Sequence, residues 1–222
     1  MKLLVTAGPT REPIDPVRFL TNRSSGKMGY AIARSAIQHG YEVVLISGPV
    51  SILPPHKAEL IHVTTAEDML HAVQGRVSWC DVLVMAAAVA DWRPQHYSPH
   101  KIKKLNMPTT LQLEPIPDII RSVLPNKGKR LFVGFAAETE NLQSAARQKL
   151  LDKKLDLIVA NNVKEADSGF EVDTNRVTLI SSDGKCEELA LMSKNDVADR
   201  IIQWVDGNYS GTKLHRHKGV GG

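Results

Sequence analysis

Six short runs of apolar, often β-branched residues most constrain what this chain can fold into. They are "KLLVT" (2–6), "EVVLIS" (42–47), "LIHV" (60–63), "DVLVMAA" (81–87), "RLFVGFAAE" (130–138) and "DLIVANN" (156–162). Their near-continuous apolar character predicts strands buried on both faces, as in a parallel sheet. Between them lie stretches with helical spacing. "GKMGYAIARSAIQHG" (26–40) stops at Gly40, a natural helix terminator. "AEDMLHAVQGR" (66–76) opens on acidic residues, as a first helical turn prefers, and "NLQSAARQKLLDKK" (141–154) gathers basic residues towards its C-terminal end. Alternation in this order predicts an α/β fold: a doubly wound, Rossmann-like, mostly parallel sheet with helices on both faces and right-handed crossovers.

The last third changes pattern. "RVTLISSDGKCEELAL" (176–191) predicts a C-terminal β-hairpin turning at Asp183-Gly184, and Ser193 is placed to cap a closing helix over 193–205. From Gly207 glycine and basic residues replace the apolar pattern. The expectation is one domain over 1–206 and a disordered basic tail over 207–222.

Charge and cysteine content narrow the function classes. The formal charge is +4, partly carried by the tail, which suits a small anionic substrate and is no nucleic-acid footprint. Cys80 and Cys186 form no CxxC pair, which points to a reducing compartment. The start "MKLLVTAGPTREPID" is too short an apolar stretch for a signal peptide, and no apolar run approaches the ~18 residues of a membrane span. A soluble, cytoplasmic protein with no nucleic-acid or membrane partner is expected.

The turn after the first strand is where such folds grip phosphates. Here it is long, "AGPTREPIDPVRFLTNRSSGKMG" (7–29), and lacks G-x-G-x-x-G. Ser24, Ser25, Gly26 and Gly29 stand at the start of the first helix. Their hydroxyls, exposed N–H groups and the helix dipole predict an anion site in preference to a plain capped helix. Ser47-Gly48 follows the second strand where a dinucleotide enzyme usually has an acid, which counts against NAD. In "AAAVADWRP" the alanines admit a ligand close to the backbone, with Asp91 and Arg93 converging on it. Tight helix packing with an Asp91–Arg93 pair explains the same stretch equally well. Phe135 and Glu138 of "GFAAET" fall near the same sheet edge, and Lys149 and Lys153, four apart, share a helix face.

"YSPHKIKKL" (97–105) offers two incompatible chemistries. Tyr97 and Lys101 have the spacing of a nicotinamide-dependent, NAD(P)-type oxidoreductase, which needs both on one helical face. Pro99 between them, and Pro94 before, predict a loop instead. Lys101, Lys103 and Lys104 then read as phosphate cations, with Lys101 and Lys103 on one side and Ile102 on the other. His215 and His217 in the tail, and Cys80, carry no assigned role. No His–Cys set has zinc spacing, and metal ligands stay unassigned.

With these residues in hand, the chain resembles phosphopantothenoylcysteine synthetase, the phosphopantothenate–cysteine ligase, in a stand-alone bacterial form. The resemblance covers roughly 1–205 and rests on "TAGPTREPIDPVRFLTNRSSGKMG", "AAAVADWRP", "KIKK", "PDII", "GFAAET" with the lysines after it, and "DLIVANN", in that order. It implies that CTP activates 4′-phosphopantothenate as an acyl-cytidylate with release of pyrophosphate, and that L-cysteine then displaces CMP. It implies catalytic roles for Asn22, holding the acyl-cytidylate, and Lys101, facing the phosphates. It adds nucleotide contacts at Met85, Ala86, Ala87, Asp91, Pro117, Asp118, Ile119, Ile120, Phe135, Lys149 and Lys153, beside the anion site at Ser24, Ser25 and Gly26. Mg²⁺ or Mn²⁺ is expected with the triphosphate. A homodimer is implied, and the 176–191 hairpin edge needs cover. The family's flavin-dependent decarboxylase would be a separate partner. One departure stands out: Pro115-Ile116 replaces the Lys-Asn that usually precedes "PDI". Ile cannot hydrogen-bond a base, and eukaryotic relatives take ATP, so the choice of CTP over ATP stays open.

Overall fold

A computed structural model of the chain describes residues 1–104, 110–138, 141–162 and 172–209. The first half runs β1 (Lys2–Ala7), β2 (Arg11–Pro13), β3 (Phe19–Thr21), α1 (Lys27–Gln38), β4 (Glu42–Ser47), β5 (Ala58–His62), α2 (Ala66–Arg76) and β6 (Val82–Met85). Then follow β7 (Trp92–Pro94), β8 (Leu113–Pro115), α3 (Ile119–Val123), β9 (Leu131–Glu138), α4 (Leu142–Asp152) and β10 (Leu157–Asn162). The chain closes with β11 (Thr174–Asn175), β12 (Val177–Ser181), β13 (Cys186–Glu188), β14 (Met192–Ser193) and α5 (Lys194–Asn208).

Eight strands form one sheet in the order β13-β12-β10-β9-β6-β1-β4-β5. From β5 to β10 neighbours are parallel; β12 and β13 join antiparallel as the expected C-terminal hairpin. The apolar runs are continuous because successive residues enter different cores. Leu3 and Val5 pack with Tyr30, Ile201 and Val205 under α1 and α5. Leu4, Ile46 and Leu83 pack with Met69, Val73, Ile120 and Val123 under α2 and α3. Each fully buried Leu or Ile contributes ~2 kcal/mol, so a strand with both faces covered has little room for a polar residue.

Local signals set the ends of the helices. Gly40 takes φ 80° just past α1. Thr65 and Asp68 form a capping box on α2, and the Ser193 hydroxyl accepts the Asp196 amide at 3.1 Å to cap α5. Gly184 turns the hairpin at φ 91°. Gly29 lets α1 lie against β1: a Cβ there would stand 2.5 Å from the Ala7 Cβ. No helix among the described residues is long and apolar enough to cross a membrane.

One boundary shifts. α5 runs to Asn208 rather than ending by 206, and Tyr209 donates its hydroxyl to Asp81 at 2.8 Å, so the ordered chain enters what reads as tail. A helix amide ladder and a partner for Tyr209 outweigh the glycine at 207. Residues 210–222, with His215 and His217, lie outside the described residues. The small hairpins β2–β3 and β7–β8 and the helix α3 were not foreseen.

Candidate active site

The β1–α1 connection is long yet fixed. The Ala88 amide donates to the Gly8 carbonyl at 2.9 Å, and the Thr10 amide to the Ala88 carbonyl at 3.2 Å. The Ala87 and Ala90 amides donate to the hydroxyls of Thr6 (3.2 Å) and Thr10 (3.0 Å). The alanine run after β6 is therefore laced to this loop. Gly48, where a dinucleotide enzyme often has its acid, is where the loop crosses β4: a Cβ there would lie 1.9 Å from the Pro9 carbonyl oxygen.

Two buried acids complete the scaffold. Glu12, 2% exposed, accepts the Ala66 amide at 2.8 Å and so serves the N-terminus of α2 from a distance. Asp15, 2% exposed, accepts the amides of Val17 (2.8 Å), Arg18 (2.9 Å) and Ile102 (3.2 Å). The Arg18 guanidinium beside it holds the Asp15 carboxyl well below the usual carboxylate range, against the opposing effect of burial. Arg18 also donates to the Ile102 carbonyl at 2.7 Å, so both backbone groups of Ile102 are gripped.

At the carboxyl ends of β6 and β9 lie two adjoining cavities sharing Ala87, Val89, Asp91, Phe135 and Lys149. The first, about 330 Å³, adds Met85, Trp92, Ile116, Pro117, Asp118, Ile119, Ile120 and Lys153. The second, about 340 Å³, adds Asn22, Ser24, Ser25, Gly26, Ala86, Lys27, Asn161, Asn175 and Lys194. Every nucleotide-contact residue expected from the sequence except Lys101 borders one cavity or both.

Charge is placed differently in each. In the first, Lys153 meets Asp118 at 2.6 Å, while Asp118 caps α3 by accepting the Arg121 amide at 3.0 Å. Burial pushes the Asp118 carboxyl up, but Lys153 and that amide outweigh it and hold it below its ordinary value. In the second, Asn22 donates its Nδ2 to the Ala88 carbonyl at 3.0 Å. Gly26, at φ 78°, is the N-cap of α1, which has no side-chain cap bond; its amide donates to the Ser24 hydroxyl at 3.3 Å. A helix start of this kind is suited to an anion.

Not every candidate residue reaches a cavity. Arg93 pairs with Glu114 (2.7 Å) and Glu67 (3.0 Å), not with Asp91, because β8 and α2 bring those carboxylates alongside it. Asp91 is thereby left on the cavity wall. Lys101 is exposed and borders neither cavity; its neighbour Ile102 is anchored on Asp15 and Arg18. Tyr97 is exposed and residues 97–101 are not helical, so the one-faced Tyr–Lys pair of a dehydrogenase does not form. The Glu138 side chain and Thr139 lie outside the described residues. Among the described residues no three of His, Cys, Asp or Glu gather as a metal site. Sequence reasoning missed Lys27, Asn175 and Lys194. Asn161 had a signal, as a member of the "DLIVANN" motif.

Residues 1–208 match the DNA/pantothenate metabolism flavoprotein C-terminal domain family. The coenzyme A biosynthesis bifunctional protein CoaBC of Bacillus subtilis (strain 168) is 50% identical over 204 residues, covering 91% of this chain and 50% of that protein. The chain thus spans about half the length of the curated relatives it matches. A crystal structure of the C-terminal domain of a CoaBC protein superposes with TM-score 0.80 at 42% identity, covering 93% of this chain and 94% of that one. The DNA/pantothenate metabolism flavoprotein from Streptococcus pneumoniae gives TM-score 0.81 at 27% identity, covering 93% and 99%.

Proposed function

Since this chain belongs to the family of the DNA/pantothenate metabolism flavoprotein C-terminal domain, we propose that it joins (R)-4′-phosphopantothenate to L-cysteine in coenzyme A biosynthesis, with CTP as co-substrate. The observation that carries this reading is the pair of cavities meeting at Asp91, Phe135 and Lys149. A ligase that activates a carboxylate must hold a nucleotide and an acyl substrate side by side. Two adjoining spaces at the carboxyl ends of parallel strands suit that need.

In the first step a carboxylate oxygen of phosphopantothenate attacks the α-phosphorus of CTP, and pyrophosphate leaves. The cysteine amine then attacks the acyl carbon, sheds a proton, and CMP departs. The first cavity takes base and ribose against Met85, Ile119, Ile120 and Phe135, with Asp118 as polar partner. Lys149 and Lys153 face the phosphates, and Lys101 adds a further cation there. In the second cavity Ser24, Ser25 and Gly26 offer hydroxyls and amides to an anion. Asn22, oriented by its bond to Ala88, keeps a second N–H and its oxygen for the acyl group. Mg²⁺ or Mn²⁺ would neutralise triphosphate charge. Asp91, on the wall of both cavities, is the carboxylate that would hold it, which fits an ion bound mainly through substrate oxygens.

Pyrophosphate release tests this. With CTP and phosphopantothenate alone, about one equivalent should appear, and cysteine should convert it to turnover. No pyrophosphate from CTP under either condition would sink the reading; release with ATP instead would correct the nucleotide.

The same proposal has the protein act in the cytoplasm as a homodimer. Exposed Val17 and Phe19 around β2–β3, and Trp92 and Leu113 on the adjacent β7–β8 hairpin, offer a second copy an apolar face. A monomer by sedimentation at micromolar concentration would remove this part.

A further inference from the structure

Lys101 is exposed, and its ammonium makes no hydrogen bond or ion pair among the described residues, so the backbone around it sets where it stands. That backbone is tied twice to the turn over 14–18. Three residues before Lys101, the Ser98 amide donates to the Ile14 carbonyl at 3.0 Å. One residue after it, Ile102 donates its amide to Asp15 at 3.2 Å and accepts Arg18 on its carbonyl at 2.7 Å. The turn is itself closed, the Ile14 and Asp15 amides both donating to the Arg18 carbonyl, at 2.8 and 3.2 Å. The two oxygens of Asp15 have different duties. Oδ1 accepts the Val17 and Arg18 amides, at 2.8 and 2.9 Å, as any surface aspartate does in closing a turn. Oδ2 accepts the Ile102 amide and, at 3.0 Å, the Arg18 Nε. Only this second set reaches a residue 87 positions away, and it keeps the carboxylate 2% exposed. Burying a carboxylate is costly unless it is paired and hydrogen-bonded, and turn closure alone does not require it.

We propose that Asp15 is a positioning residue: through the Ile102 amide, and through Arg18 on the Ile102 carbonyl, it fixes where Lys101 stands. Asp15 itself borders neither cavity. The placement follows from these contacts alone, whereas the task of Lys101, meeting phosphate charge, rests on the ligase reading. A lysine on a drifting loop would spend less time at the phosphates. That costs rate in the activation step more than affinity for the nucleotide in the ground state.

Two measurements on the whole chain test this. Asp15→Asn keeps an oxygen for the local amides but turns an NH₂ towards the Ile102 amide and Arg18, donor against donor. Hydrogen exchange at the Ile102 amide reads the placement, and Asp15→Asn should speed it by about tenfold or more. Pyrophosphate formation from CTP and phosphopantothenate, without cysteine, reads the consequence. Asp15→Asn should lower it by roughly tenfold or more, but by no more than Lys101→Gln does, with CTP affinity kept within about twofold. The double variant separates positioning from general support of the fold. With Lys101→Gln in place, Asp15→Asn should cost less than about twofold further, because the group it places is gone; a merely structural loss would multiply. Should Asp15→Asn not fold, Asp15→Ser carries the same comparison, since a hydroxyl still closes the turn and is too short to reach Ile102. The proposal is overturned if Ile102 exchange is unchanged in the folded variant, if pyrophosphate forms at the wild-type rate, if the two losses multiply, or if neither variant folds. If the wild type releases no pyrophosphate from CTP or ATP, the ligase reading fails, and Ile102 exchange alone decides for Asp15.

Discussion

In the first cavity the positive charge is answered on the spot, Lys153 meeting Asp118 at 2.6 Å across walls of Met85, Ile116, Ile119 and Ile120. In the second, Lys27 and Lys194 are gathered with Asn161 and Asn175, and Lys194 is held well below its ordinary titration range. The first is the kind of space that receives a flat, weakly charged ring. Its charges are balanced before any ligand arrives, so its contribution is shape and a few hydrogen bonds. The second brings Lys27, Lys149 and Lys194 together with the amides of Asn22, Asn161 and Asn175. On the proposed reading the first cavity takes the nucleotide and the second the acyl substrate, a division that mutations can break or sharpen.

The largest expected effect tests whether that division needs a third component. Lys101 borders neither cavity, yet its proposed task is to meet the charge that grows on the phosphates during activation. Lys101→Gln should lower cysteine-independent pyrophosphate formation by on the order of a hundredfold, ~3 kcal/mol, as loss of an oxyanion donor does. Lys101→Arg should restore it only in part, since a planar fork does not reproduce a compact ammonium. Tyr97→Phe should change little. If Tyr97→Phe were as damaging as Lys101→Gln, phosphate chemistry would be the wrong account of this loop and the hydride-transfer reading would reopen.

A smaller loss should separate the two cavities directly. Asn22→Ala removes an amide from the second cavity only, so CTP affinity should stay within about twofold while product formation falls by roughly ten- to a hundredfold, the worth of one hydrogen bond to a charged group. Titration of CTP beside steady-state turnover makes the comparison. A variant that lost CTP affinity and kept turnover at saturating CTP would show that the cavities do not divide the work this way.

The doubly wound sheet was legible because two-faced burial leaves its mark on each strand separately: Leu3, Leu4 and Val5 are all fully buried, and no polar residue interrupts them. The rigidity of the 8–26 loop was not. Glu12 and Asp15 look like ordinary surface acids until Ala66 and Ile102, 54 and 87 residues away, bring their amides. Strands of three residues, as in β2 and β3, are too short to display a period of two. The site was legible unevenly for the same reason. Asp91 follows β6, Phe135 lies in the carboxyl-terminal half of β9 and Lys149 on the helix after it, where position marks a residue. Lys194 is one lysine in a helix that reads as an amphipathic cover, and only the packing of α5 against α1 turns it inward.

The smallest expected effect concerns Ile116, where the resemblance leads one to expect an asparagine. Ile116 lines the first cavity, and its own amide donates to the Asp91 carbonyl at 2.9 Å, so the backbone there is committed and only the side chain meets the ligand. An isoleucine can press on a base but cannot read its edge. Ile116→Asn would add a donor and an acceptor at a half-buried rim, where a new hydrogen bond is worth ~1 kcal/mol net. The ratio of kcat/KM for CTP to that for ATP should therefore rise by about three- to tenfold, with the KM for phosphopantothenate unchanged because the second cavity is untouched. Parallel assays with the two nucleotides decide it. A shift in phosphopantothenate KM without any change in nucleotide preference would place the base elsewhere, and the first cavity would have to be assigned to the acyl substrate.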